Sequence, residues 1–419
     1  MPLDLDFVRS QFPAFDRASD AAATGAGTPA FFENAGGSFA CRQTVEALTN
    51  YYTHTKVQPY ASYAASATAG EQMDSSRRRW AEALGVATDE VNFGPSTPQN
   101  TYVLANAFGQ LLGPGDEVVV TNQDHEANTG VFRRMAERVG ATLREWRIDP
   151  ATGALDPAGL EALLTSNTKL LTFPHCSNIV GQENDVAAIS ALAHSAGARV
   201  ICDGVSFAPH GIADIGALGP DVYLFSLYKV YSVHQGLMVA QNGIIEELPS
   251  QAHYFNEASP AKRLTPAGPD HAQEASAGAV LDYIEATHSH HGGSGGVREA
   301  AAAVSQLWQD HETSLLTPLL DSLAGRDDVR LLGPTSVETS KQHRCPTVAF
   351  VPLNREPEVV AQGLVDRGIM TSHGTYYANR VLEGLDIDPE RGVVRVSFVH
   401  YTSIDDITKL IAALESVLG

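Results

Sequence analysis

The sequence has few cysteines and no long hydrophobic run. Only four of its 419 residues are cysteines, and no two of them stand in a CxxC pair or at metal-ligand spacing. This scarcity argues against a disulfide framework and predicts a reducing, cytoplasmic location. The N-terminus carries acidic residues where a signal peptide has a basic region, and no stretch approaches about 18 uninterrupted apolar residues. We therefore expect neither a signal peptide nor a membrane-spanning helix.

Positive charge is also scarce. The chain has 28 Lys and Arg residues against 49 Asp and Glu residues, which gives a formal net charge of −21. Such a charge repels nucleic acids and anionic membrane surfaces, so neither is expected as a partner. An apolar content of 43% and a charged content of 18% are typical of a soluble, enzyme-like globular protein. The length predicts more than one domain.

One segment is compositionally biased, THSHHGGSGG at residues 287–296. Its glycines predict a flexible loop or hinge. Its three histidines have no adjacent acidic ligand, so a metal site is the weaker interpretation and no metal is expected.

Short β-branched runs alternate with amphipathic stretches between about residues 90 and 245. The predicted strands are EVVVTN (117–122), TLREWRI (142–148), KLLTFP (169–174), RVICD (199–203), VYLFS (222–226) and LMVAQ (237–241). This alternation predicts a parallel α/β sheet. Ligands of such sheets bind beyond the carboxyl ends of the strands.

Polar residues follow several of these strands. They are His125 in NQDHEAN, Asn178 in HCSN, Asp203 in CDGVS, and Ser226 and Lys229 in SLYK. Any one of them could be an ordinary loop residue or cap. Since the carboxyl ends of parallel strands meet at one edge, we expect all five side chains to point into one crevice.

A helix start precedes this strand series. FGPSTPQN (93–100) predicts a turn, with Thr97 as N-cap and Pro98 at the first helical position. Free N–H groups and the helix dipole at such an end favour an anion. This helix start is a weak signal of an anion site when taken alone. It lies just before the strand series, however, where a phosphate-bearing cofactor would need a binding site for its phosphate.

Together these residues suit pyridoxal 5'-phosphate. Lys229 would form a Schiff base with the aldehyde, which removes the problem of a buried ammonium group. Asp203 would pair with the pyridinium nitrogen and keep it protonated. His125 would stack on the ring, and Asn178 would hydrogen-bond the phenolic oxygen. The phosphate would be held by Ser96, Thr97 and Ser226.

Five segments carry a resemblance to a known family. They are FFENAGGS (31–38), DHEAN (124–128), HCSNIVGQEND (175–185), the block from Asp203 to Lys229, and VVRVSFVHYTSIDDITKL (393–410). In this combination and order they resemble the class V aminotransferase superfamily of fold-type I pyridoxal-phosphate enzymes, in its cysteine desulfurase-like branch. The resemblance covers nearly the whole chain.

The resemblance implies an α/β fold with two domains. The large domain, residues 21–285, would contain a mostly parallel seven-stranded sheet, and residues 1–20 and 286–419 would form a smaller α/β domain. It also implies a homodimer with shared active sites, in which His271 would reach the phosphate in the other subunit. At the substrate end of the site, Asn34 would help to bind the substrate and Arg395 would bind the substrate carboxylate.

Several positions depart from the desulfurase pattern. The stretch GIMTSHGTYYANRVLEGL (368–385) has no cysteine where desulfurases carry the catalytic one, and His373, Tyr376 and Tyr377 would face the substrate instead. Tyr228 replaces the histidine before the lysine and would reach the phosphate. Ser206 stands where a Gln or His would contact the ring oxygen. These changes alter substrate recognition and leave the core chemistry in place.

The leading hypothesis is therefore an enzyme that acts at Cα of an amino acid or amine. β- or γ-Elimination, as in C–S cleavage, and transamination are weighted equally, with epimerisation behind. A cysteine desulfurase proper and a non-catalytic pyridoxal-phosphate-binding scaffold are the alternatives.

Overall fold

The central element of the computed structural model is a seven-stranded sheet. The structure describes residues 2–16, 29–241, 243–337 and 344–419. The sheet order is β2-β8-β7-β6-β5-β3-β4, in which β8 is antiparallel to both neighbours and the remaining pairings are parallel. Its strands are β2 (Val91–Gly94), β3 (Glu117–Thr121), β4 (Thr142–Trp146), β5 (Thr168–Pro174), β6 (Arg199–Asp203), β7 (Val222–Ser226) and β8 (Gly236–Ala240). The predicted strands and the predicted fold class are confirmed, with β2 as an addition.

Helices surround this sheet and continue into the C-terminal part. They are α1 (Leu5–Ser10), α2 (Arg42–Asn50), α3 (Ala64–Leu84), α4 (Thr97–Phe108), α5 (Glu126–Val139), α6 (Pro157–Leu163), α7 (Val186–Ser195), α8 (Ile215–Leu218), α9 (Ile244–Glu247), α10 (His271–Ala277), α11 (Ala279–His290), α12 (Val297–Ala324), α13 (Pro357–Val365), α14 (Asn379–Gly384) and α15 (Ile404–Leu418). No helix in the described ranges is long and apolar enough to cross a membrane.

Both faces of the large sheet are covered, which explains its continuous apolar strands. All five residues of β3 and all five of β7 are buried. Alternate side chains go to opposite faces: Leu224 belongs to the hydrophobic cluster of α4 and α5, whereas Phe225 packs edge-on against Trp80 of α3, and Tyr223 belongs to the same cluster as Phe225. This burial holds the carboxyl ends of the strands in fixed positions.

A second, antiparallel sheet lies in the C-terminal part, in the order β12-β13-β10-β9. Its strands are β9 (Val329–Leu331), β10 (Thr347–Pro352), β12 (Ser372–Gly374) and β13 (Val393–Ser397), while β1 (Ala30–Phe31) pairs separately with β11 (Ile369–Met370). Phe350, Val394 and Leu410 belong to a hydrophobic cluster of their own there. The domain bounds given above stay a prediction, and residues 17–28, next to the first boundary, lie outside the described ranges.

Two local predictions were wrong. Residues 287–290 of the glycine-rich segment continue α11 instead of forming a loop. There His290 stacks on Phe7 at 3.9 Å and forms a hydrogen bond with the Asp4 carboxylate, so this histidine contacts both the cap and the first turn of α1. The N-cap of α4 is Ser96, not Thr97, because the Ser96 hydroxyl accepts the Gln99 N–H at 3.3 Å.

Candidate active site

A cavity lies at the carboxyl ends of β5, β6 and β7, against the first turns of α4 and α5. Its lining includes eight residues predicted for the site: Thr97, His125, Asn178, Asp203, Ser206, Ser226, Tyr228 and Lys229. A smaller cavity adjoins it and shares Ser206 and Lys229, with Asn34 and Ser397 on its other side. The convergence expected from the strand ends is therefore present in the fold.

Lys229 ends a short 3-10 turn directly after β7 and is 8% exposed. Burial lowers the pKa of its amine to about 8, and the Arg395 charge acts in the same direction. No hydrogen bond or ion pair joins its Nζ to another residue of the described ranges. A buried amine that is easily neutralised and lacks a fixed partner suits imine formation.

Asp203 is the last residue of β6 and is buried beside Lys229. Its Oδ1 accepts the Val205 N–H at 2.8 Å. Burial raises the pKa of this carboxyl to about 6, although the Val205 N–H and the Lys229 charge oppose the rise. A cation bound next to Asp203 would remove this penalty, as a protonated ring nitrogen does.

A second buried carboxyl, Asp124, lines the same cavity and was missed as a site residue. Its oxygens accept the His125 N–H at 2.9 Å and the Asn128 side-chain amide. Burial, and then the Asp203 charge, raise its pKa well above the ordinary value. The segment NQDHEAN contains this residue, but nothing in the sequence shows that it is buried next to Asp203.

His125 caps α5 and borders the cavity. Its Nδ1 accepts the Ala127 N–H at 3.1 Å, which leaves the other ring nitrogen as the donor. Burial lowers its pKa to about 3, so the ring is neutral at physiological pH. A neutral, fixed imidazole is suited to stacking on an aromatic cofactor.

The start of α4 is held close to β7 and β8. The hydroxyls of Thr97 and Ser226 lie 2.8 Å apart. Gly236 makes the approach possible, because a Cβ there would lie 2.4 Å from the Ser96 carbonyl carbon and 2.5 Å from the Thr97 nitrogen. This cradle of hydroxyls at a helix N-terminus has the donors that a phosphate requires.

Arg395 lies on β13, outside both cavity linings but in contact with Asn178, which lines the larger cavity, and it is 3% exposed. Its Nη2 donates to Glu33 Oε1 at 2.8 Å and its Nη1 to the Asn178 carbonyl at 3.1 Å. The Tyr376 ring stacks over the guanidinium at 3.7 Å. The sequence predicted Arg395 but not its pairing with Glu33.

The loop after β12 contacts two segments that border the cavity. The Asn178 amide donates to the Tyr376 carbonyl at 2.9 Å, and Glu126 N–H donates to the Tyr377 carbonyl at 2.8 Å. Tyr376 and Tyr377 both have positive φ, 52° and 57°, which is uncommon for aromatic residues and typical of functional sites. The Tyr377 ring lies 5.4 Å from His125.

The remaining predicted residues have other surroundings. His373 is exposed on β12, on the face opposite Ser372, and lies outside both cavity linings. Ser96 serves as the α4 cap, and His271 begins α10, also outside the linings. Asn34 accepts a hydrogen bond from Tyr401 and donates to the Ser397 carbonyl at 3.2 Å. The roles assigned to all these residues stay predictions.

The residues present fit pyridoxal phosphate. An amine for the aldehyde, a carboxyl for the ring nitrogen, a neutral imidazole and a hydroxyl cradle surround one cavity. In addition, Asn178 Oδ1 is buried without a hydrogen-bond partner among the described residues, which leaves a polar atom open to a ligand.

Comparison with known proteins agrees with this fit. The family model "Aminotransferase class-V" matches residues 30–252 and 273–410. The chain belongs to the class V aminotransferase family. This confirms the predicted enzyme class and the predicted cofactor, pyridoxal 5'-phosphate.

Among curated proteins, the chain is 32% identical to the aminotransferase-like protein FGM3 of Gibberella zeae, over 99% of this chain and 98% of that protein. It is 25% identical to a cysteine desulfurase of Serratia proteamaculans, over 100% and 99%. Among solved structures, the apo cysteine desulfurase of Thermococcus onnurineus NA1 matches with a TM-score of 0.84 at 22% identity, over 100% of this chain and 98% of that one. The structural match confirms the fold.

Proposed function

We propose that this chain catalyses a pyridoxal-phosphate-dependent reaction at Cα of an amino acid or amine, by β- or γ-elimination or by transamination. The observation that carries the proposal is Lys229, a buried amine with a pKa lowered to about 8, in one cavity with the carboxyl of Asp203. The cofactor would supply an electron sink for the charge that develops at Cα.

The residues of the chain would then act as follows. Lys229 would take and return the Cα proton, because its amine can change protonation state near neutral pH. Asp203 would keep the ring nitrogen protonated, and His125 would hold the ring from one face. Thr97 and Ser226 would bind the phosphate, and Arg395 would orient the substrate.

Elimination also needs an acid at the leaving group. Burial raises the pKa of Tyr376 to about 12, so its hydroxyl stays protonated at physiological pH. That hydroxyl donates to the Ser372 carbonyl at 2.6 Å and would have to turn from it to reach a leaving group. Tyr377 is the more exposed of the two tyrosines, at 74%. Both tyrosines are therefore candidate acids, and exposed His373 is the weaker one.

Cysteine desulfuration is the second candidate, because Cys176 lines the cavity. Its thiol is buried, and Sγ lies 3.4 Å from the Gly181 carbonyl oxygen and 3.6 Å from that of Ser177. A thiol so enclosed is poorly placed to receive sulfur and pass it to an acceptor. We therefore favour a mechanism without a cysteine nucleophile.

We further propose a cytoplasmic homodimer in which His271 of each subunit completes the phosphate site of the other. Two exposed aromatic residues, Tyr254 at 87% and Phe255 at 69%, support a further protein contact in this region of the chain. Neither nucleic acid nor membrane is proposed as a partner.

A substrate panel tests the proposal. Purified enzyme would be incubated with amino acids and amines while the cofactor spectrum is followed and pyruvate, ammonia and sulfide are assayed. Ammonia with a keto acid indicates elimination, whereas a cofactor converted to its amine form indicates transamination. A cofactor-loaded protein whose spectrum responds to no amino acid or amine would refute the proposed reaction.

A further inference from the structure

Arg395, the arginine assigned to the substrate carboxylate, already holds a carboxylate of the chain. Glu33 Oε1 accepts from its Nη2 at 2.8 Å, and Glu33 is the one acidic partner of Arg395 within the described ranges. Ser372 donates to the other oxygen, Oε2, at 2.8 Å. Glu33 is therefore fixed at both oxygens against the buried guanidinium.

The other sides of the guanidinium are also restricted. Nη1 is bonded to the Asn178 carbonyl, and the Tyr376 ring covers one face at 3.7 Å. Nε is buried and has no hydrogen-bond partner among the described residues. A bidentate pair with a carboxylate needs Nη2 together with Nη1 or Nε, and Glu33 is bonded to Nη2.

Glu33 also lies within electrostatic reach of the reactive amine. Its charge raises the pKa of Lys229, opposing the effects of burial and Arg395. The neighbouring Asn34 lines the small cavity that Lys229 shares. Glu33 thus belongs to the substrate end of the site, although its oxygens accept hydrogen bonds from Arg395 and Ser372.

We propose that Glu33 determines substrate specificity by competing with the substrate carboxylate for Arg395. A substrate carboxylate binds by displacing Glu33 from Nη2 or by sharing the guanidinium with it, and both cost affinity because two like charges approach each other. Substrates with an uncharged group at this position avoid that cost. This inference rests on the proposed function, because it takes the carboxylate that binds Arg395 to be that of the substrate. The competition between Glu33 and an added carboxylate can nevertheless be measured without turnover.

Two ligands that differ in charge but not in shape test the exchange. Propionate and propionamide lack an amino group and therefore cannot react with the cofactor. Their dissociation constants would be measured by calorimetry on the holoenzyme, for the unaltered chain and for Glu33→Gln. We expect Glu33→Gln to bind propionate about tenfold more tightly, because the competing charge is gone, and propionamide with unchanged affinity.

Controls separate this effect from a general change in charge or folding. Glu356→Gln removes an exposed carboxylate that pairs with Arg391 at 3.3 Å and should change neither constant. Adding Arg395→Gln to Glu33→Gln should abolish the gain for propionate. Thermal unfolding gives a second readout: propionate should raise the melting temperature of Glu33→Gln more than that of the unaltered chain.

The inference is overturned if Glu33→Gln binds propionate as weakly as, or more weakly than, the unaltered chain, since Glu33 would then only orient Arg395. Equal gains for propionate and propionamide would also overturn it, because the effect would be steric. Failure of the proposed function looks different: binding would follow the expectations while no amino acid or amine is turned over.

Discussion

Asp203→Asn should make the cofactor-free protein more stable and the cofactor-bound protein less stable. The substitution keeps an oxygen that can accept the Val205 N–H but removes a buried negative charge. No cationic side chain forms an ion pair with this carboxyl in the described ranges. The structure therefore predicts opposite effects in the two states of the protein.

The magnitude follows from the pKa. A carboxyl raised from 3.8 to about 6 in the folded chain corresponds to about 3 kcal/mol of differential stability. The folded state binds this proton more tightly than the unfolded state, so the protonated Asp203 carboxyl contributes fully to the stability of the fold below about pH 4. This stability is lost as the pH rises through about 6, where the buried carboxyl ionises. Asn cannot ionise and therefore avoids the loss at pH 8.

The assay is unfolding of the apoprotein at pH 4 and pH 8, followed by the fluorescence of the three buried tryptophans, Trp80, Trp146 and Trp308. We expect Asp203→Asn to be more stable than the unaltered chain by up to about 3 kcal/mol at pH 8 and nearly equal at pH 4. Adding pyridoxal phosphate should stabilise the unaltered chain more, since breaking a buried ion pair costs about 3–5 kcal/mol. The reasoning would be refuted if Asp203→Asn were less stable than the unaltered chain at pH 8 without cofactor. It would also be refuted if pyridoxal phosphate stabilised the variant as much as it stabilises the unaltered chain.

Four further predictions concern neighbouring groups. Lys229→Ala should lose the yellow imine, and borohydride reduction with peptide mapping should find the pyridoxyl group on Lys229 in the unaltered chain and nowhere else. The rate of cofactor uptake by apoprotein should rise with pH, reach half its maximum near pH 8 and level off about one pH unit higher, because imine formation needs the neutral amine; a rise continuing to pH 10 would contradict the lowered pKa. A variant without cysteines should keep substantial turnover if it folds, whereas replacing Tyr376 and Tyr377 by Phe should cost about 10²–10⁴-fold if one is the acid; cofactor-loaded but inactive cysteine-free protein would restore the desulfurase mechanism. Mixed and reassembled Lys229→Ala and His271→Ala subunits should recover partial activity, and a fully active monomer would exclude the shared site.

The sequence by itself determined the architecture of the cofactor site. Apolar runs such as residues 222–225 of β7 fit a sheet that is covered on both faces, and successive parallel strands place their carboxyl ends at one edge. Asp203 is the last residue of β6 and Lys229 lies three residues after β7, so the sequence was enough to predict that they meet. The family motifs also predicted a smaller α/β domain in the C-terminal part of the chain.

The tertiary structure decided which polar groups actually pair. Glu33 and Arg395 are separated by 362 residues and meet through β1, β11 and the small antiparallel sheet, whose register no local pattern specifies. The same register turns Ser372 toward Glu33 and leaves its neighbour His373 exposed, because side chains alternate along a strand. Burial likewise distinguishes Asp124 from an ordinary loop acid. Desolvation, long-range pairing and side-chain direction depend on packing between distant segments, and only the folded chain sets them.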